Sequence, residues 1–451
     1  MSTVADSVQH SLRARVAERQ ESWRVPGLIG AVVRDGELAW SGGVGAADVT
    51  KPEVGPDELT QYRIGSITKT FTAVLVMALR DEGTLTLDDR LTRFVPETKH
   101  ASLTIRQMLA HASGLQREPG GDIWESLQCP DLEQLLASLE TSEQVLPAHR
   151  RWHYSNLAYA VLGEVVARLD GRSWEESLRA RLLDPLGLKR TGLVAEPPVA
   201  VGYYPDPFTD QAHVESDLDL RALASCGGLW STAADLATWA AFLADPDEQV
   251  LSAASIEEMC QPQIMADLDA WTMAWGLGLQ LMRRGERVFV GHTGGMPGHL
   301  SGVFVRRSDK VAGIALANTS TVADPGELAL DLACTVLDDD PADPEPWRPG
   351  EGAPPELAGV PGRWWSEGSP FVFSVAAGRL EARTDPHPAG KAPAVFVREG
   401  EDLYRTESGR EEGELLRLVR DESGAVVRMY WATYPFSRDP EVTGDVRGRR
   451  S

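Results

Sequence analysis

A serine and a lysine three residues apart, Ser66 and Lys69, are the first pair of side chains in this chain that could carry out covalent chemistry. The run over residues 68–80 is mostly apolar and ends before Gly83, so it predicts a buried helix. At the start of a helix this spacing places both side chains on one face, one turn apart. Free N–H groups and the positive helix end there favour a serine oxygen that attacks as an alkoxide. A capping serine beside a surface lysine is the structural alternative.

A second motif, Tyr154-Ser155-Asn156, comes directly before an apolar helical run over residues 157–169. A phenol with a pKa of about 10 is a poor base unless a neighbouring cation lowers that pKa, which Lys69 could do. The alternative is a helix cap beside a core tyrosine.

A third motif, His292-Thr293-Gly294-Gly295, ends a strand-like run that begins at residue 287. Glycines at a strand edge let a substrate come close, and they leave the Gly295 N–H free to donate a hydrogen bond. A glycine-rich turn with a surface histidine is the alternative.

Taken in this order and at this spacing, the three motifs resemble the serine β-lactamase and penicillin-binding protein superfamily. The closest likeness is to its class C-like branch, with family VIII esterases, D-aminopeptidases and D-alanyl-D-alanine carboxypeptidases. Segments such as Leu87-Asp88-Asp89 and Trp275-Gly276-Leu277-Gly278 extend the likeness over about residues 10–337. The chain has no G-x-S-x-G, H-E-x-x-H, P-loop or complete G-x-G-x-x-G motif, so those families are not indicated.

The resemblance implies a role for each position. Ser66 would be the nucleophile that forms an acyl-enzyme, and Lys69 and Tyr154 would share its proton and pass it to the leaving group. Asn156 would hydrogen-bond Lys69 and the substrate amide. The backbone N–H groups of Ser66 and Gly295 would form the oxyanion hole. The substrate-binding residues implied are Asn156, His292, Thr293, Gly294 and Gly295.

One departure from the family pattern concerns His292. Classical penicillin-recognising members carry Lys-Thr-Gly, whose lysine grips a substrate carboxylate, where this chain has His292-Thr293-Gly294. A histidine with a pKa of about 6.5 is mostly neutral at pH 7. The motif therefore favours an esterase or amidase over a strong β-lactamase.

Composition limits the partners. Lysine and arginine number 44 against 67 acidic residues, a net charge of −23, which argues against nucleic acid and membrane surfaces as partners. The first twenty residues lack the apolar core of a secretory signal, so a cytoplasmic location is predicted. The four cysteines are scattered, as is typical of reduced, buried thiols. Neither a metal nor another cofactor is expected.

The order of elements predicts two domains. Strand-like runs lie at both ends of residues 1–337, and helical runs lie between them, so one sheet should join the two ends. The predicted fold is α/β, a β-lactamase-like catalytic domain with an antiparallel sheet flanked by helices plus a helical region. Residues 338–356, with six prolines and seven acidic residues, read as a linker. Residues 357–451 predict a small antiparallel, lipocalin-like β domain.

The sequence thus predicts a serine hydrolase that cleaves an ester or amide of a small molecule or short peptide through an acyl-enzyme on Ser66. Three alternatives stay open: a β-lactamase or D,D-carboxypeptidase, an acyltransferase that uses the same serine, and a non-catalytic binding protein on the same fold. The natural substrate and the oligomeric state are not readable from the motifs.

Overall fold

A computed structural model describes residues 4–321, 323–343, 346–349, 352–388 and 390–440. The chain divides into two compact units, Met1–Ala342 and Asp343–Ser451. Among the residues described, no helix has both the length and the hydrophobicity that a membrane span requires.

The helices of the first unit include short turns as well as long buried helices. They are α1 Asp6–Ser22, α2 Thr68–Asp81, α3 Ile105–Leu109, α4 Ile123–Ser126, α5 Leu132–Thr141, α6 Asn156–Asp170, α7 Trp174–Leu178, α8 Asp184–Leu186, α9 Ala224–Gly227, α10 Ala233–Ala244, α11 Ala253–Met259 and α12 Pro325–Asp339. A 3₁₀ turn, Gly65–Ile67, leads directly into α2.

The strands of the first unit are mostly short outside one large sheet. They are β1 Gly27–Arg34, β2 Glu37–Gly45, β3 Tyr62–Arg63, β4 Tyr203–Pro205, β5 Ala212–Val214, β6 Trp230–Ser231, β7 Ile264–Met265, β8 Met273–Trp275, β9 Gln280–Arg284, β10 Arg287–Met296, β11 His299–Arg306 and β12 Val311–Ala317. Eight of them form an antiparallel sheet in the order β2-β1-β12-β11-β10-β9-β8-β7. The sheet therefore joins the two ends of the unit, as predicted.

The sheet separates two hydrophobic clusters because successive strand residues point to opposite faces. On β12, Ile314 and Leu316 belong to the cluster that contains α2, α6 and α10. Ala315 and Ala317 belong to the cluster that contains α1 and α12. Helices cover both faces of the sheet, which confirms the predicted α/β architecture.

The buried helix α2 is the element that carries the Ser-x-x-Lys motif. Every residue from Thr68 to Leu79 is buried, and the hydroxyls among them are hydrogen-bonded. Thr70 Oγ1 accepts from the Trp239 indole at 3.0 Å, and the Phe71 ring stacks on Trp239 at 3.8 Å. Such packing holds the first turn of the helix firmly, and with it the motif.

Two predicted elements of the first unit have different bounds. The pattern over residues 275–283 predicts one strand, but β8 ends at Trp275 and β9 begins at Gln280, because Gly276 and Gly278 form a turn packed closely against α11 and α2. A Cβ on Gly278 would lie 2.1 Å from the Ala73 Cβ on α2. The apolar pattern over residues 104–112 predicts a longer helix than α3, which ends at Leu109 because His111 adopts a φ of 53°.

The second unit is an antiparallel meander of eight strands in sequence order. They are β13 Gly362–Ser366, β14 Ser369–Ala376, β15 Arg379–Thr384, β16 Ala394–Gly400, β17 Leu403–Ser408, β18 Leu415–Arg420, β19 Val426–Trp431 and β20 Tyr434–Phe436. Its two ends meet where Trp365 and Ser437 exchange backbone hydrogen bonds of 2.8 and 3.0 Å. The predicted small antiparallel β domain is confirmed as a near-barrel filled with aromatic side chains.

Candidate active site

Ser66 lies on the 3₁₀ turn before α2, half-buried at the floor of a cleft. Lys69, one turn further on, is fully buried, and its Nζ donates to Ser66 Oγ at 3.0 Å. The Lys69 Nζ also donates to the Cys226 carbonyl at 2.6 Å. The lysine nitrogen is therefore fixed beside the serine hydroxyl, where it can take part in transfer of the serine proton.

Aromatic rings form the remaining surroundings of the lysine. Its Nζ lies 4.9 Å from the ring centre of Tyr154 and 5.7 Å from that of Tyr159. A cation over an aromatic face is stabilised electrostatically without a counter-charge. The lysine can therefore stay buried with its hydrogen bonds directed at the reaction centre.

Tyr154 is held by the cap of the helix that follows it. Ser155 is the N-cap of α6, where its hydroxyl oxygen accepts from the Ala158 N–H at 3.0 Å. The Ser155 N–H donates to Nδ1 of His111 at 3.1 Å, and the His111 ring stacks on Tyr154 at 4.2 Å. Burial, with Lys69 next in importance, lowers the pKa of His111 well below its usual range. The imidazole is thus neutral and packs behind the tyrosine.

Strand β10 forms the opposite wall of the cleft. It pairs with β11 as far as Met296, but its pairing with β9 ends at Gly291. In an antiparallel pair, alternate residues turn their N–H and C=O groups away from the partner strand. Counting back from the hairpin pair Met296–His299, Gly295 and Thr293 direct these groups to the side that β9 leaves open.

Two glycines allow β10 to approach the nucleophile. A Cβ on Gly65, next to Ser66, would lie 2.6 Å from the Gly295 nitrogen, and Gly65 has a φ of 49°. A Cβ on Gly294 would lie 1.9 Å from the Ile64 carbonyl oxygen. The close contact brings the Gly295 N–H beside Ser66, where an oxyanion donor is needed.

His292 is a neutral hydrogen-bond acceptor rather than a cation. It is 2 % exposed, and its Nδ1 lies 2.5 Å from the Thr293 carbonyl oxygen. Because a carbonyl only accepts, Nδ1 carries the proton and Nε2 carries the lone pair. Burial first, and then Lys69, lower the pKa of His292 to about 3. The imidazole therefore stays uncharged across the physiological pH range.

The expected hydrogen bond between Asn156 and Lys69 is not what the structure has. Asn156 Nδ2 instead donates to Glu118 Oε1 at 2.6 Å, while the two hydrogen bonds of Lys69 go to Ser66 and to the Cys226 carbonyl. Asn156 opens α6, and its backbone N–H donates to the Arg117 carbonyl. The side chain of Asn156, which was expected to face Lys69, is therefore hydrogen-bonded to the loop that contains Arg117 and Glu118.

The cleft has a volume of about 460 Å³. It brings together seven of the eight site residues that the sequence predicts: Ser66, Tyr154, Asn156, His292, Thr293, Gly294 and Gly295. Lys69 lies directly below, bonded to Ser66. Sequence reasoning missed several lining residues: Arg117, Glu118, Trp124, Trp152 and Gln280. These lie in loops, in the one-turn helix α4 or in the short strand β9, with no motif of their own, so only the fold reveals them.

Comparison with known proteins places both units. The family profile described as Beta-lactamase matches residues 12–335, and one described as a domain of unknown function, DUF7586, matches residues 353–438. Penicillin-binding protein 4 of Amycolatopsis lactamdurans is 33 % identical over 74 % of this chain and 93 % of its own length. Beta-lactamase-like protein 2 of Dictyostelium discoideum is 29 % identical over 53 % of this chain. The match covers about half of the length of that protein, 46 %.

A solved structure extends the comparison to the fold. The D-stereospecific amidohydrolase from Streptomyces sp. superposes with a TM-score of 0.61 at 25 % identity, covering 72 % of this chain and 97 % of that one. The fold and the motif order thus point the same way, and the resemblance inferred from the sequence is confirmed.

Proposed function

We propose, on the premise that this chain belongs to the β-lactamase family, that it is a serine hydrolase which cleaves an ester or amide of a small molecule or short peptide. The observation that carries this proposal is the 3.0 Å hydrogen bond from buried Lys69 to Ser66 at the floor of the cleft. A predicted cytoplasmic location is part of the same proposal.

The reaction begins when Ser66 Oγ attacks the substrate carbonyl carbon. Its proton passes to the Lys69–Tyr154 pair, while the carbonyl oxygen takes up negative charge facing the N–H groups of Ser66 and Gly295. When the carbonyl re-forms, the bond to the leaving group breaks, and that group takes the proton. Water then attacks the acyl-enzyme, releases the acid and returns a proton to Ser66.

The neutral third motif sets the preferred substrate. A lone pair on His292 Nε2 has no attraction for a carboxylate, whereas it accepts a hydrogen bond from a donor. Neutral esters and amides therefore suit the cleft better than β-lactams or D,D-peptides, which carry a carboxylate. The name of the amidohydrolase from Streptomyces supports amide cleavage as part of this range.

The test is labelling of Ser66 with a fluorophosphonate, read by intact mass. We expect one adduct on the natural chain, none on Ser66→Ala, and one on the matched control Ser22→Ala, whose hydroxyl is exposed on α1. Equal labelling of Ser66→Ala, or no label on the folded natural chain, would refute the proposal.

Substrate assays separate the alternatives. Turnover of p-nitrophenyl esters without turnover of nitrocefin supports the esterase or amidase, and the reverse supports a β-lactamase. Products formed with an added amine in place of water identify an acyltransferase.

A further inference from the structure

The charges around Tyr154 come from two different elements. Lys69 Nζ, on α2, lies 4.9 Å from the centre of the tyrosine ring. The guanidinium carbon of Arg117, in the loop before α4, lies 5.0 Å from the same centre. The phenol is therefore flanked by a second cation, which no motif of the sequence indicates.

Three other titratable groups near the ring carry no positive charge. His111 and His292 are kept neutral, since burial lowers the pKa of each. Tyr159 is also neutral, because burial raises the pKa of its phenol well above the usual range. His153 adjoins Tyr154 in the chain, with its Nε2 buried. Lys69 and Arg117 remain as the cations within 5 Å of the ring centre among the described residues.

One acidic group faces the same region. Glu118 Oε1 lies 3.8 Å from Arg117 Nε, but the same oxygen accepts the 2.6 Å hydrogen bond from Asn156. The carboxylate is thus tied to the start of α6 instead of pairing closely with Arg117. The carboxylate keeps its negative charge within ion-pair distance of Arg117, so it offsets part of the field of the guanidinium at the tyrosine.

The backbone fixes Arg117 in this position. Its carbonyl accepts from the N–H groups of Asn156 at 2.7 Å and Leu157 at 3.2 Å, which are unpaired donors of the first turn of α6. Tyr154 comes just before that turn, so the loop and the tyrosine are joined at one point. The side chain of Arg117 is 64 % exposed and still lies over the ring.

We propose that Arg117 is a positioning residue for Tyr154. Its guanidinium supplies the second positive charge beside the phenol, and this charge prepares the phenol to exchange the Ser66 proton. The proposal rests on the function proposed above, in which Tyr154 handles that proton. Positive charge near a phenol favours its deprotonated form, so removal of Arg117 makes the base harder to form. At this separation and exposure, Coulomb's law gives an effect of roughly half a pH unit, weakened by salt.

The experiment is the pH profile of kcat/KM for a neutral p-nitrophenyl ester. We expect the rising limb to move up by roughly half a pH unit in Arg117→Gln at low salt and to stay near the natural position in Arg117→Lys. Arg13→Gln removes the same charge from the exposed side of α1, across the sheet from Ser66, and should leave the limb in place.

A salt titration of the natural chain gives an independent measurement that needs no substitution near the site. Raising NaCl from about 0.05 to 0.5 M should move the limb upward in the natural chain and hardly at all in Arg117→Gln. A limb that behaves alike in Arg117→Gln and Arg13→Gln, or in Arg117→Lys and Arg117→Gln, or that ignores salt, would overturn the proposal. Failure of Ser66 labelling in the natural chain would instead overturn the proposed function, and this inference with it.

Discussion

Replacing His292 with lysine places a cation where the structure holds a neutral imidazole, and the cost of doing so follows from the site. Burial and Lys69 lower the pKa of His292 from 6.5 to about 3. Each pKa unit corresponds to about 1.4 kcal/mol, so positive charge at this position is disfavoured by about 5 kcal/mol. The same penalty applied to a lysine, with an ordinary pKa of about 10.4, lets its ammonium titrate near pH 7.

The expected gain therefore depends on pH. Below about pH 7 the His292→Lys ammonium is charged and can pair with a substrate carboxylate, an interaction worth about 1.5–3 kcal/mol. The kcat/KM for nitrocefin should then rise roughly ten- to a hundredfold over the natural chain at pH 6 and fall back toward it by pH 9. Hydrolysis of a neutral p-nitrophenyl ester, which has no carboxylate to pair with the ammonium, should change far less than turnover of nitrocefin.

The assay needs a control that changes the side chain without adding charge. His292→Gln serves, and it should show no gain with nitrocefin at any pH. A gain of equal size at pH 6 and pH 9 would refute the electrostatic reasoning, and no gain at pH 6 would mean that residue 292 does not face the carboxylate. The imidazole would be shown not to be neutral by one further result. That result is a change in kcat/KM for the ester near pH 6.5 that is present in the natural chain and absent in His292→Gln.

Three further predictions test other parts of the site and fold. Lys69→Met should slow fluorophosphonate labelling of Ser66 by roughly 10²- to 10⁴-fold, measured by mass spectrometry over time, because the Lys69–Tyr154 pair that takes up the serine proton is lost. Gly65→Ala should lower kcat about a hundredfold, since its Cβ would push β10 away, whereas Gly83→Ala, with positive φ but open space, should leave kcat unchanged. Burial lowers the pKa of His299 to about 3, so the folded chain leaves this imidazole unprotonated at pH values below about 6.5, where the unfolded chain protonates it. The free energy of unfolding therefore decreases as the pH falls below about 6.5. In His299→Gln this decrease between pH 7.5 and pH 5, measured by urea unfolding, should be smaller than in the natural chain by about 2 kcal/mol.

Elements with one strong sequence signal were predicted well. The helix predicted over residues 68–80 is α2 Thr68–Asp81, and the one over residues 157–169 is α6 Asn156–Asp170, because each run is continuously apolar and has a clear start and stop. The hairpin around Asp35-Gly36 is also present, since both residues adopt the positive φ that a tight turn requires.

Elements whose bounds depend on tertiary contacts were predicted less well. The pattern over residues 426–433 predicts one strand, but β19 ends at Trp431, and a turn at Ala432, a non-glycine residue with a φ of 53°, leads into β20. Strand β13 was missed because its Trp-rich segment lacks the period-two pattern of a half-buried strand. In both cases the closure of the near-barrel, not local preference, sets the strand.

The same distinction holds in the site. Residues that sit in motifs, from Ser66 to Gly295, could be gathered from spacing because a family pattern fixes their order. The partner of Asn156 could not, since Glu118 lies in a loop and meets it only after that loop caps α6. The motifs therefore predicted which residues meet in the cleft, whereas the hydrogen bond implied between Asn156 and Lys69 is replaced by one to Glu118.

A neutral third motif also explains how the cleft tolerates its buried lysine. Lys69 is held by the Cys226 carbonyl, Ser66 and aromatic faces, with no ion pair among the described contacts of its nitrogen. A second buried cation at position 292 would repel it, and burial together with this repulsion lowers the pKa of His292. A positive charge on the exposed Arg117, where water screens it, still acts on Tyr154. Its desolvation cost is smaller than that of a buried cation at position 292. Without a cation at position 292 to hold a carboxylate, we expect substrates to be selected by shape and hydrogen bonding.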